Sequence, residues 1–342
     1  MHRVIAFLLT LLWATSVAAA PARLNDFTSA DAVLRWINAY RTKPDPAAVP
    51  EAIRALSNFG AFKDPESAGV YIGFFAGILN ANPGRAEEIV NKTLPLPAEN
   101  QWVIVRAIAY SGLPDWKGLL ADVADGLPAR RVMVDAYLNG SLPTLEHLMF
   151  EKDPSWFEKV RRQFGFADKK KTRPLLAPSP EILDTLWGYY FATVDYRPIA
   201  GIIGMLPWSK HEDNVEKLTL GAMAKYTLAS NAARDPVLLA LLKRASLQQS
   251  KENLVVLNEV IAAAEIVDMG RIRKEALVAI DELKRKGPAY QREVAWWGRA
   301  GEFAIAGGCL AAAIAGQVEL GLPCVVGGAL SSAGLKFLAG QQ

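Results

Sequence analysis

The sequence is poor in the residues that build metal sites and reactive thiols. It contains three histidines and two cysteines in 342 residues. It also lacks the H-E-x-x-H zinc motif, the phosphate-binding P-loop and the G-x-S-x-G turn of serine hydrolases. We therefore expect no catalytic residue, no cofactor and no metal site, and an enzyme is the less favoured interpretation.

An excess of one charge is missing as well. Lys and Arg number 38 and Asp and Glu number 35, which gives a net charge of +3. Because proteins that bind nucleic acid usually carry a strong basic excess, we expect no nucleic-acid partner. Hydrophobic residues make up 51% of the chain and charged residues 21%, so the chain has enough apolar surface to fold.

The first twenty residues have the layout of a secretory signal. Met1–Arg3 is a short basic head, residues 4–17 form an apolar run, and Ala18–Ala20 supply small residues for cleavage. The alternative is an uncleaved membrane anchor, for which this run is short. We predict a signal peptide over residues 1–20 and an exported protein, periplasmic if its source is bacterial and secreted otherwise.

The rest of the sequence predicts helices throughout. Apolar residues recur at intervals of three and four, and the sustained alternation that marks a strand does not occur. Proline and glycine punctuate these segments, and Thr28 or Ser29 can cap the first of them. The predicted helices cover residues 28–41, 64–81, 101–110, 114–124, 182–193, 198–205, 215–228, 236–247 and 253–286.

Three glycines lie on one face of the helix predicted over residues 64–81. Gly69, Gly73 and Gly77 recur every four residues within an apolar run. Since glycine destabilises a helix interior by about 1 kcal/mol relative to alanine, this spacing indicates the close approach of another helix. We interpret this segment as a central buried helix of the N-terminal domain, with an oligomer seam as the alternative.

A degenerate pattern of helix, turn and proline recurs along the chain. Its copies lie at residues 109–114, 136–143, 192–198 and 229–236, with Pro65 as a fifth member. The pattern resembles the helix–turn–helix units of α-solenoids such as tetratricopeptide and HEAT arrays, although no single family consensus fits. The resemblance implies an all-α fold, an irregular array of antiparallel helix pairs. An irregular bundle with proline-started helices is the alternative.

Composition divides the chain into regions. Residues 169–180 are first basic and then rich in proline, which is typical of an exposed linker. We therefore predict an N-terminal helical domain over residues 21–168, a second helical domain over 181–287 and a C-terminal region over 288–342. The basic residues between 161 and 173 either dock on an anionic lipid or acidic partner or keep the linker solvated.

The C-terminal region is unusually apolar, with two charged residues between 303 and 342. The pattern predicts two antiparallel helices, over residues 303–316 and 323–340, joined by a short loop. In the first of them, Gly308, Ala312 and Gly316 repeat the four-residue spacing of small residues. This apolar helical hairpin can be buried against the body, can mediate self-association, or can associate with a membrane through residues 303–340.

Both cysteines of the chain, Cys309 and Cys324, fall in this predicted hairpin. If the predicted hairpin folds about the midpoint between the two cysteines, their thiols lie opposite each other on the two antiparallel helices. Because an exported protein meets an oxidising environment, we predict a disulfide between Cys309 and Cys324. Two free, buried thiols are the alternative.

These patterns together favour a function in binding. We expect an exported, non-enzymatic helical-repeat protein that acts as a protein-binding or scaffolding module in the cell envelope, with another protein or a second copy as its partner. Two alternatives stay open. One is an enzyme that acts on an envelope polymer through carboxylates in a groove. The other is a membrane-associated or pore-type protein that uses the C-terminal hairpin.

Overall fold

A computed structural model describes residues 27–149, 176–193, 195–210 and 214–266. Within these ranges the regular secondary structure is helical and no strand occurs, so the all-α prediction is confirmed. The predicted signal peptide, most of the predicted linker and the whole C-terminal hairpin, with its small residues and both cysteines, lie outside the described residues. The disulfide and the fate of the hairpin therefore stay predictions.

The described helices are short and follow one another closely. Their bounds are α1 Ala30–Ala39, α2 Val49–Asn58, α3 Gly69–Ala81, α4 Ala86–Thr93, α5 Trp102–Tyr110, α6 Trp116–Asp122, α7 Arg131–Leu138, α8 Glu146–Met149, α9 Pro180–Thr193, α10 Tyr196–Met205, α11 Val215–Ala232, α12 Pro236–Ser246 and α13 Lys251–Ile266. Short 3₁₀ turns link several of them, including one at Pro65–Ala68 that leads directly into α3.

Aspartate residues begin the helices that follow the turns of the degenerate pattern. Asp115, Asp195 and Asp235 each accept a hydrogen bond from a backbone N–H in the first turn of α6, α10 and α12, at 2.9–3.1 Å. Asp64 does the same for the 3₁₀ turn ahead of α3. Such caps satisfy donors that have no partner within the helix. Four of the five turns thus share an aspartate cap with a proline within three residues of it. At the copy over residues 136–143 the Thr144 hydroxyl accepts from the backbone N–H of Glu146 instead.

Two glycines close helices within the same pattern. Gly112 follows α5 with φ of 69°, and Gly140 follows α7 with φ of 79°. These left-handed angles let the chain reverse after a helix, and a residue with a side chain adopts them at a cost.

Replacing Gly140 with alanine tests this backbone requirement alone. A Cβ at Gly140 would meet nothing within 4 Å, so only the left-handed angle opposes the substitution. We expect the free energy of unfolding to fall by about 1 kcal/mol, measured by urea titration. Gly84, which also faces open space but has an ordinary φ, is the matched control. An equal change in Gly84→Ala would contradict the explanation.

The centre of the fold is a pair of parallel helices, α3 and α9. Gly69 lies against Glu181, Gly73 against Thr185 and Gly77 against Tyr189, so the residue numbers rise together along the two helices. All residues from Gly69 to Leu79 are buried, and so are those from Ile182 to Ala192. Both helices are therefore enclosed by protein along most of their length.

Glycines bring these two backbones unusually close. A Cβ added at Gly69 or Gly73 would lie under 3.0 Å from a backbone carbonyl oxygen of α9. A Cβ added at Gly188 of α9 would approach the carbonyl oxygen of Val70 in the same way. At Gly77 the nearest atom is the Cβ of Ala192, at 2.6 Å. The predicted glycine face thus lies against a helix that comes after the predicted linker.

Residues on both sides of that linker share one hydrophobic core. The hydroxyl group of Tyr189 donates a hydrogen bond to the carbonyl oxygen of Ser111 at 2.8 Å, and both residues are buried. Arg41 pairs with Asp235 at 2.7 Å. The core therefore runs across the position at which the sequence analysis placed a domain boundary.

Candidate functional site

A half-buried ion pair joins α5 to the first turn of α9. Nη1 of Arg106 donates a hydrogen bond to Oε1 of Glu181, and each of the two side chains keeps 22% of its surface exposed. Glu181 lies at the positive end of the α9 dipole, where a carboxylate is favoured. Solvent can therefore reach part of each of the two side chains.

Aromatic side chains surround this pair. The guanidinium carbon of Arg106 lies 5.0 Å from the ring centre of Trp102, one turn earlier on α5. Tyr110, one turn later, meets Tyr137 of α7 edge to face, with ring centres 6.4 Å apart. Tyr137 also lies close enough to Arg106 for each of the two groups to influence the pKa of the other. We name these five residues, with Glu181 as the fifth, the Arg106 cluster.

Burial dominates the electrostatics of the Arg106 cluster. It raises the pKa of the Glu181 carboxyl above its ordinary value, although Arg106 opposes the shift, and the charges of Glu66 and Asp64 raise it further. Burial also raises the pKa of Tyr110 well above its usual range. Both tyrosine hydroxyls stay protonated at neutral pH, so they act as hydrogen-bonding groups and not as bases.

The raised pKa of Glu181 predicts the sign of a pH effect. A carboxyl group whose pKa is higher in the folded state contributes stability that is present below its unfolded pKa and is lost as the pH rises through its folded pKa. We expect the wild type to exceed Glu181→Gln in unfolding free energy by a larger margin at pH 4 than at pH 8. Urea titrations of both proteins at the two pH values measure this margin. A difference that grows with pH would contradict the assignment.

A second polar cluster joins the N-terminal helices to α12. The Arg41 guanidinium lies 4.7 Å from the ring centre of Tyr190 and pairs with Asp235. The Tyr190 hydroxyl donates to the same carboxylate at 3.0 Å. Because Asp235 also caps α12, its oxygens are used by three structural partners. This arrangement holds helices together.

A buried lysine ties α11 to α13. Lys225 exposes 6% of its side chain and pairs with Glu259 at 2.7 Å, while Lys210 reaches the other oxygen of that carboxylate at 3.2 Å. Burial raises the pKa of Glu259, but the hydrogen bonds and charges of the two lysines outweigh it, so the pKa lies below its ordinary value. The Glu259 carboxylate is held ionised between two ammonium groups. It links α13 to α11 and to the segment that carries Lys210.

The predicted packing glycines and the Arg106 cluster meet at one end of the α3–α9 pair. Gly69 contacts the backbone of Glu181, whereas Gly77 lies two turns further along α3. The residues of the Arg106 cluster were not predicted to form a site. A signal existed, because Trp102, Arg106 and Tyr110 are spaced by four residues and so share one face of a helix.

Neither a metal site nor a membrane span occurs in the part of the chain that the structure describes. No group of three or more His, Cys, Asp or Glu side chains in these ranges is placed to hold a metal ion. None of the helices described combines the length and the apolar character needed to cross a bilayer. Comparison of the chain with protein-family models, with curated proteins and with solved structures finds no match.

Proposed function

We propose that this protein is an exported, non-enzymatic helical-repeat protein that acts as a protein-binding or scaffolding module in the cell envelope. The Arg106 cluster is the observation that carries the proposal. Arginine is enriched among the residues that dominate the binding energy of protein interfaces. Here Arg106 and Glu181 each keep 22% of the side chain exposed, while the aromatic side chains around them are buried and give the pair a fixed surround.

The chemistry of the cluster suits recognition of a polypeptide. The Arg106 guanidinium has donors for a carbonyl or carboxylate oxygen of a partner, and Glu181 can accept from an amide or ammonium group. Trp102 and Glu181 hold the guanidinium in place, so little side-chain freedom is lost on binding. A partner that covers the pair also removes water from it, which strengthens each polar contact.

The arrangement of helices supports a repeat protein. Helices α5 and α6, α9 and α10, and α11 and α12 pack as consecutive pairs, and the second helix of each pair begins at an aspartate cap. Stacked units of this kind present extended surfaces to other proteins.

A photo-crosslinking amino acid at position 66 tests the proposal. Glu66 is close enough to Glu181 to influence its pKa. We expect full-length protein carrying the crosslinker at this position to form one discrete adduct with another protein in an envelope fraction of the source cells. The same crosslinker at Gly84, beyond the opposite end of α3 and in open space, is the matched control.

Variants of the ion pair separate specific from accidental capture. Arg106→Lys keeps the charge but removes the planar donor array, and we expect the position-66 adduct to fall about tenfold, while circular dichroism shows that the helices are intact. The proposal is overturned if position 66 gives no adduct, if positions 66 and 84 give the same adduct, or if Arg106→Lys leaves its yield unchanged.

A further inference from the structure

The structure divides into two interlocking parts along the sequence. The first part is residues 27–149, and the second part is residues 176–193, 195–210 and 214–266. Helix α9 belongs to the second part, yet its main neighbour is α3 of the first part. We propose that the face of α3 formed by Gly69, Gly73 and Gly77 binds α9 without needing the covalent connection, so that the two parts stay one complex after the chain is cut between residues 150 and 175.

Shape complementarity is the first reason. The backbone of α9 packs against glycines of α3, and the backbone of α3 packs against Gly188 of α9. The fit is reciprocal, because each helix would clash with the other if its glycine carried a side chain. Such contacts are made between preformed helix surfaces, and they do not depend on how the chain connects the helices.

The apolar surface at stake is the second reason. Every residue of α9 from Ile182 to Ala192 is buried, among them Trp187, Tyr189 and Tyr190 with no exposed surface. Tyr189 contacts Ser111 and Tyr190 lies against Arg41, so separation from the first part would leave these two aromatic side chains in water. The contact therefore resembles the core-like interfaces of obligate complexes, which are larger and more apolar than those of transient ones.

Polar contacts at separate places are the third reason. Arg106 of the first part pairs with Glu181, Ser111 accepts from Tyr189, and Arg41 pairs with Asp235. Helix α8 at the end of the first part packs on α10 as well. These contacts fix the orientation of the two parts at several points.

The inference needs no contribution from a covalent connection beyond that of a tether. A flexible connection acts as an effective concentration in the millimolar range at most. An interface of core-like composition with several satisfied polar contacts needs no such help to stay closed at micromolar concentration.

Cleavage of the full-length chain tests the inference. A specific protease site flanked by glycine and serine residues is inserted between Lys170 and Lys171, and complete cleavage under native conditions is verified on a denaturing gel. We expect the cut protein, at about 1 μM, to elute from a sizing column as one species with the molar mass of the uncut chain and an unchanged helical spectrum. Two separate species, or precipitation of one fragment, would overturn the inference.

Glycine variants in the same background identify the surface responsible. Gly77→Ala meets a side-chain atom of Ala192 and is the milder change on the α3 face. We expect it to weaken the association of the cut fragments at least tenfold on dilution, while the uncut variant keeps its helical spectrum. Gly84→Ala should leave the association unchanged. If the cut fragments of both variants associated equally well, the glycine face of α3 would not be the surface that holds them together, and the inference would be wrong.

Discussion

Replacing Gly73 with alanine is expected to lower the free energy of unfolding by about 3 kcal/mol, although alanine is the better helix former. Helix propensity alone would stabilise the variant by about 1 kcal/mol. The new Cβ would lie under 3.0 Å from the carbonyl oxygen of Thr185, a backbone atom that cannot turn aside. Overpacking commonly costs about 1–3 kcal/mol, and we expect about 4 kcal/mol here because two backbones meet, so that about 3 kcal/mol remains after the gain in helix propensity.

Urea unfolding followed by circular dichroism measures the effect, and Gly84→Ala is the control. Because Gly84 has open space around its Cβ position and an ordinary φ, we expect its variant to change stability by less than about 0.5 kcal/mol. If Gly73→Ala were as stable as the wild type, the close approach of α3 and α9 would be wrong.

Replacing Trp187 with alanine is expected to destabilise the protein by about 3–5 kcal/mol. The indole is fully buried on α9, where it packs against Tyr190 and stacks on Phe191 at 5.8 Å between ring centres. Its N–H donates to the Thr227 hydroxyl of α11 at 3.0 Å. Alanine removes this contact area and leaves a cavity in a region enclosed by helices.

The Trp187→Phe variant separates packing from hydrogen bonding. Phenylalanine retains most of the ring contacts but leaves the buried Thr227 oxygen without its donor, so we expect a loss of about 1–2 kcal/mol. Thermal and urea unfolding measure both variants. A loss in Trp187→Ala no greater than that in Trp187→Phe would contradict the central place of this side chain.

Local signals in the sequence predicted where many helices lie. Ser29, one of two candidate caps, accepts the hydrogen bond that begins α1, and Pro236 opens α12 next to its cap. The predicted helix over residues 64–81 differs at its start, because Pro65–Ala68 forms a 3₁₀ turn before α3. These features depend on neighbouring residues, so a sequence pattern can reveal them.

Helices α2 and α4 lie outside the predicted helices, and α7 was indicated only by the copy of the degenerate pattern at residues 136–143. Each has eight to ten residues, too few for an isolated helix to be stable. Each is stabilised by packing against other helices, and the local sequence does not reveal that packing. Helix α2 packs on α4, and α7 contributes Tyr137 to the Arg106 cluster. Their stability comes from tertiary contacts, which explains why local patterns were insufficient.

What the sequence by itself determined is the all-α class and the glycine face of α3, because periodicity, caps and small-residue spacing are properties of a single segment. Only the tertiary structure decided which helix packs against that face. In α9 the four-residue spacing of small residues is limited to Gly188 and Ala192, and α9 begins about a hundred residues after α3 ends. The Arg106 cluster was decided in the same way, since Tyr137 and Glu181 reach Arg106 from other helices. Complementarity between two surfaces depends on both shapes together, and neither sequence segment contains the other's shape.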